Sequence, residues 1–223
     1  MKQQIAVLSG DLVNSSEYEP TLLKDIITVL KHEFKGVKEK HSPEAITFSL
    51  YRGDSFQGVV ENVSLALTIA LQIKTAVIKY KPANHTSKSS TPLADIRIAI
   101  GVGESTYQKQ ALEESNGAAF QFSGRSLDSM KGEGRTITLV TSNEEINYEF
   151  AVSLKFLDGI TDRWSLASAE VVYYLLKNYT EQQIADEIGI SQAAVNSRKR
   201  AAGWEEIQLL LKRYQYVAKN QLV

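Results

Sequence analysis

Residues 45–60, AITFSLYRGDSFQGVV, decide how the N-terminal part of the chain folds. Ala45–Tyr51 and Ser55–Val60 are short runs rich in β-branched and aromatic residues. Arg52-Gly53-Asp54 between them is turn chemistry, so the stretch reads as a β-hairpin. Upstream, Gln3–Ser9 is an apolar run closed by Gly10-Asp11 and reads as a buried strand. Between that strand and the hairpin, Leu22, Leu23, Ile26, Ile27, Leu30 and Phe34 recur at helical spacing. They predict an amphipathic helix from Thr21 to Lys40, with Pro20 just ahead of it. Downstream, Asn62 is positioned to cap a helix over Val63–Tyr80. Residues 81–94 are polar, contain two prolines and read as a loop. Asp95–Val102 alternates as a strand should, Asn116–Met130 is helical, Thr136–Val140 is a fifth strand and Phe150–Phe156 a weaker sixth.

The order β-α-β-β-α-β-α-β predicts an α+β protein. Its first 160 residues form a ferredoxin-like βαββαβ sandwich with additions, the hairpin lying at the centre of the sheet. Many unrelated activities use that plan, so the plan by itself assigns none.

After Gly159 the pattern becomes wholly helical, which predicts a second, small all-α domain over 161–223. Ser165–Lys177 is a helix. Thr180 caps EQQIADEI, Gly189 ends it with the positive φ a tight turn needs, and Ser191 caps QAAVNSRKRAAG; Trp204–Val217 is the last helix. Ile184, Ala185 and Ile188 point inward, and Val195 anchors the following helix. The free side of that helix carries Ser191, Gln192, Ala193, Asn196, Ser197, Arg198, Lys199 and Arg200. Gln and Asn match adenine edges, Arg matches guanine, and the remainder suit phosphates, so these residues are the candidate contacts to double-stranded DNA. The same residues also fit a helical docking module with Arg198–Arg200 as a solvated face.

Composition narrows the field. The 223 residues carry a net charge of −1, and 43% are hydrophobic, enough for a packed core. There is no cysteine, which excludes disulfides, zinc-thiolate sites and thiol nucleophiles. The three histidines show no metal-ligand spacing. No apolar run reaches the ~18 residues of a membrane span, and the short N-terminal apolar run is not a secretory segment, so a cytoplasmic protein without membrane contact is expected. Asp11, at the end of the first strand, and Asp54, at the hairpin tip, can converge if the first and third strands are neighbours. Paired carboxylates without histidine suit Mg²⁺ or Mn²⁺.

Three stretches resemble class III nucleotidyl cyclases in order: LSGDLVNS, YRGDSFQGVV and IRIAIGVGES. Gly117–Arg125 then resembles their Gly-x-x-Val-Asn-x-Ala-x-Arg helix. The resemblance implies Asp11 and Asp54 as metal ligands, Arg125 as the transition-state arginine, and Gln121 with Arg125 at the nucleotide. Gln121 stands where those enzymes have asparagine, and Thr47–Tyr51 has no base-reading lysine. The chain more closely resembles the SatD family over residues 1–160. The shared residues are Gly10, Asp11, Asn14 and Ser15; Gly53, Asp54, Phe56, Gln57 and Gly58; Arg97, Gly101, Gly103 and Glu104; and Gly117, Ala119 and Phe120. Ser55 stands where that family often has glutamate. Residues 180–204 resemble the helix-turn-helix of sigma-region-4 and LuxR-type regulators.

Together these readings favour a homodimeric DNA-binding transcriptional regulator over an enzyme, with an N-terminal domain that dimerises or binds a nucleotide. The alternative is a Mg²⁺- or Mn²⁺-dependent nucleotidyl cyclase, or another phosphoryl-transfer enzyme, with a regulatory tail.

Overall fold

β1 (Gln3–Leu12) runs three residues beyond the apolar stretch that predicts it, because β4 (Ile96–Thr106) pairs with all of it and a second strand flanks Ala6–Asp11. A computed structural model describes residues 3–41, 45–51, 53–82, 90–109 and 112–222. β1 is antiparallel to β3 (Ser55–Val60) on one side and to β4 (Ile96–Thr106) on the other, and all of Ile5–Leu12 is buried. Both faces of the strand are covered, so its sequence reads as an almost unbroken apolar run. Ala6, Leu8 and Leu12 face α1 (Pro20–His41) and α2 (Ala66–Ile78) in the main apolar cluster. Ile5 and Val7 face Ala119 and Phe120 of α3 (Ala118–Glu133).

With β2 (Ile46–Tyr51) beyond β3, the strand order is β2-β3-β1-β4. All these neighbours are antiparallel, which is the ferredoxin-like arrangement expected from the element order. The two-residue β5 (Asn116–Gly117) pairs with the end of β4, and β6 (Ile137–Val140) adds parallel to β4. The hairpin β2-β3 is therefore at the edge of the sheet, contrary to the expectation that it lies at the centre. β1 and β4 take the centre because the crossover through α1 places β2 one strand away from β1, leaving room for β3 between them, and the crossover through α2 returns β4 to the other side of β1.

Position α2 is enclosed. Asn62 caps the turn leading into it by accepting from the Ser64 amide, and every α2 residue except Thr68 is buried. Lys74 on this helix is fully buried, its Nζ lying 2.6 Å from Asp95 Oδ1. On the other sheet face α3 crosses β4 closely. A Cβ on Gly101 would overlap the Ala119 carbonyl oxygen and the Ser123 amide.

One expectation needs correction. Phe150–Phe156 is not a strand; it lies within α4 (Glu144–Thr161). Asn143 caps this helix by accepting from the amides of Glu145 and Ile146, and Ile146, Phe150, Leu154 and Leu157 form its buried stripe. Residue 160, where the sequence divides, lies in the last turn of α4. Trp164, Trp204 and Tyr214 from the C-terminal region share one apolar cluster with Leu8 and Ile100 of the sheet. Arg52 of the hairpin turn and residues 83–89 of the polar loop lie outside the described residues. Among the described residues, no helix is long and apolar enough to cross a membrane.

Gly101→Ala is expected to cost about 3 kcal/mol, because backbone rather than a mobile side chain fills the space. Gly124→Ala, on the open side of α3 with nothing within 4 Å, is expected to be neutral or stabilising. Urea unfolding midpoints of the two variants check the contrast.

Candidate functional site

The sheet face beneath α3 is partly polar. Asp11 lies on it, directly opposite Ser55 of β3 and Arg97 of β4 in the strand register. Side chains opposite one another in antiparallel strands share a face and touch. Arg97 Nε donates to Asp11 Oδ1 at 2.8 Å and Nη2 donates to Oδ2 at 3.0 Å, a two-pronged pair. Lys131 reaches down from α3 to 3.5 Å from Oδ2. Further along the same face the Ser9 hydroxyl donates to that of Ser123 at 2.9 Å.

Asp54 occupies the hairpin turn. Its main-chain oxygen accepts from the Leu12 amide, so it does sit against the end of β1, as the sequence suggests. Its carboxylate accepts from the Ser15 hydroxyl at 2.7 Å and from the Ser55 hydroxyl at 3.1 Å. Asn14, with a left-handed φ of 52°, bends the chain after β1 into the short turn that carries Ser15.

This donor set does not fit a divalent cation. Hard cations take about six or more oxygens, whereas both oxygens of Asp11 already face a guanidinium and a second cation, Lys131, stands beside them. Among the described residues no three His, Asp or Glu side chains gather as metal ligands. Gln121 and Arg125 are exposed on α3. Gln121 lies 3.5 Å from Asn116, which pairs with Thr106, nine positions along β4 from Arg97. The residue that α3 brings to Asp11 is Lys131, one the sequence reading passed over. Arg97 was read only as part of a shared string. Its alternation with Ile96 and Ile98 already placed it on the face opposite the main core.

No protein-family model matches the chain, and no curated protein does. Solved structures do, and the three described are cyclases. The GGEEF domain of a diguanylate cyclase from Vibrio cholerae is 18% identical, with a TM-score of 0.43, covering 63% of this chain and 84% of that one. The catalytic core of a rhodopsin-guanylyl cyclase in complex with ATPalphaS is 19% identical, with a TM-score of 0.44, covering 57% and 73%. A bacterial light-regulated adenylyl cyclase is 10% identical, with a TM-score of 0.45, covering 62% and 76%.

A second polar surface lies near the C-terminus. α5 (Leu166–Leu176), α6 (Glu181–Ile188) and α7 (Gln192–Ala201) meet around Val171, Ile184, Ala185 and Val195. Thr180 and Gln183 form a capping box at the start of α6. Gly189, at φ 68°, turns the chain, and Ser191 caps α7 by accepting from the Ala194 amide. With Val195 locked inward, Ser191, Gln192, Ala193, Asn196, Ser197 and Arg200 are exposed. Gln192, Ala193, Asn196, Ser197 and Arg200 recur one turn apart and form a single stripe.

Arg198 and Lys199 depart from the expectation of a free basic face. Both are half-buried at the edge of the stripe. Arg198 Nη1 is 3.6 Å from Glu170 Oε2, and Lys199 Nζ is 2.8 Å from Glu181 Oε1. The hydrogen bond from Lys199 holds the Glu181 carboxyl below its ordinary titration range. Among the described residues Arg200 makes no ion pair. It lines a polar hollow of about 480 Å³ with Asn196, Trp204 and Glu205.

Arg97→Ala leaves the Asp11 carboxylate buried with only the longer Lys131 contact, and is expected to destabilise the fold by about 3 kcal/mol. Arg97→Ala combined with Asp11→Ala removes the orphaned charge and is expected to recover part of that loss. Denaturant titration of both variants measures it.

Proposed function

We propose that this chain is a DNA-binding protein that places α7 in the major groove of a duplex, with the sheet-bearing part as the body that carries it. The observation behind this reading is the division of α7. Its Val195 side is fixed in a three-helix cluster, while a stripe of amide, hydroxyl and guanidinium groups stands in solvent. That is the division of labour in a recognition helix entered at its N-terminal end. Gln192 and Asn196 offer paired donor and acceptor groups to adenine edges, Ala193 suits a thymine methyl, and Arg200 suits guanine or phosphate. Ser191 and Ser197 suit phosphate oxygens. Arg198 and Lys199 stay held by Glu170 and Glu181, so Arg200 is the main cation offered to phosphates and the salt dependence is shallow.

A Mg²⁺- or Mn²⁺-dependent cyclase using Asp11, Asp54, Gln121 and Arg125 is the competing reading. It draws on the ordered sequence strings and on the adjacency of Asp54 to the end of β1. The Arg97 pair on Asp11 weighs against it. Incubation with the four nucleoside triphosphates and Mn²⁺, followed by mass spectrometry, is expected to return the triphosphates unchanged. A cyclic or diguanylate product abolished by Asp54→Asn reverses the choice.

Selection of bound duplexes from a random library, followed by fluorescence anisotropy across a salt series, tests the DNA reading. Asn196→Ala and Gln192→Ala are each expected to lower preference for the selected site about tenfold. Arg200→Ala is expected to weaken binding to all duplexes and to reduce the salt slope by about one. If no duplex is enriched and no mobility shift appears, the reading is wrong.

A further inference from the structure

The outer face of α4 is apolar where a solvated helix face is ordinarily polar. Tyr148, Val152 and Phe156 are 76%, 59% and 73% exposed, and their spacing of four puts them on one ridge. On one side of the ridge lies a hollow of about 560 Å³, floored by Ala151 and edged by Arg135 and Lys155. On the other lies a hollow of about 290 Å³ between Phe156 and Leu209 of α8 (Trp204–Gln221), with Leu209 67% exposed. Arg213 of α8 spans back to Glu149 with contacts of 2.7 and 3.0 Å and lies 5.7 Å from the Tyr216 ring. A contiguous exposed apolar surface on this scale marks an interaction site.

We propose that the occupant is a second copy of this chain, docked across a two-fold axis at Val152. The sequence of the ridge reads the same chemically in both directions. When α4 is set antiparallel to its copy about Val152, Tyr148 meets Phe156 of the second copy and Phe156 meets its Tyr148. Glu149, which Arg213 of its own chain already holds, meets Lys155 and Lys155 meets Glu149, so Lys155 adds to a carboxylate fixed in place and the charges are complementary at both symmetry-related positions. Glu145 falls opposite Gly159, where no side chain obstructs it. A two-fold interface requires one patch to complement itself in this way, whereas a foreign helix would need only one matching direction. The ridge has hollows on both flanks to receive its counterpart. The inference does not depend on DNA contact. If both hold, the two α7 helices belong to one assembly, because α8 follows α7 after a two-residue link.

Sedimentation velocity across micromolar concentrations is expected to show a reversible dimer. Val152→Glu is expected to weaken it by at least about 100-fold, because a charge then sits on the axis at the centre of the contact. Its thermal unfolding by circular dichroism is expected to stay unchanged, since Val152 is exposed. Lys155→Glu and Glu149→Lys are each expected to weaken self-association, and mixing the two variants to restore a dimer of one with the other. The chain has no native thiol, so Val152→Cys is expected to form a cross-linked dimer on mild oxidation, while Lys35→Cys, exposed on α1, does not. A monomeric wild type overturns the proposal, including one whose α4 face binds some other protein. So does a dimer indifferent to Val152→Glu and to the charge swap.

Discussion

The arrangement depends on α5 burying two sides at once. Ala169, Val172 and Leu176 belong to the main apolar cluster, and α5 packs along α2. Val171, with Tyr174 and Leu175 beside it, holds α6 and α7. A helix that is hydrophobic around most of its circumference is an interior beam rather than a surface element. Its second attachment is polar. Glu33 of α1 is buried, accepting from Gln72 of α2 and, at 2.7 Å, from the Tyr173 hydroxyl of α5. Lys177 donates to the same hydroxyl, and Lys79 lies 4.4 Å from the centroid of its ring. Burial and the neighbouring carboxylate push the Tyr173 phenol well above its ordinary titration range. The cluster around Val195 has four buried members, one of them Val171 of α5. The exposure of α7 therefore rests on α5, and α5 rests on α2.

The order of elements along the chain was legible because its signals were local and consistent. Gly53-Asp54 between two β-rich runs, the Asn62 cap and the Thr180–Gln183 capping box all act over a few residues. α4 was misread for a physical reason. Its buried stripe is Ile146, Phe150, Leu154 and Leu157, but the outer Tyr148, Val152 and Phe156 are apolar too. The two stripes together blur the helical period and leave an apparent alternation from Phe150 to Phe156. The residues that spoiled the pattern are those now given a role on the outside. The partners of Arg198 and Lys199 were beyond reach of the sequence as well. Glu170 is on α5 and Glu181 on α6, and only the packing of those helices brings them to α7.

The surroundings of Asp11 are set by the strands on either side of it. The sequence correctly put it beside the third strand. It did not show that β4 flanks it on the other side and presents Arg97 at the same level. A carboxylate at such a point acts as a metal ligand in one setting and as half of an ion pair in another, and the strand opposite decides which. Here the pair joins β1 to β4 on the face under α3, and Lys131 extends it to the helix.

β2 ends the sheet, and its sequence, ITFSLY, has no charge, proline or glycine along its length. Among the described residues no strand lies beyond its outward amides and carbonyls. Natural edge strands are usually blunted by lysine, proline or a bulge. This one relies on its own brevity and on the stacking of Phe48 upon Phe34, 4.3 Å between ring centroids. If α1 loosens, that restraint goes and the strand's outer edge is left open to pairing with its like from other molecules.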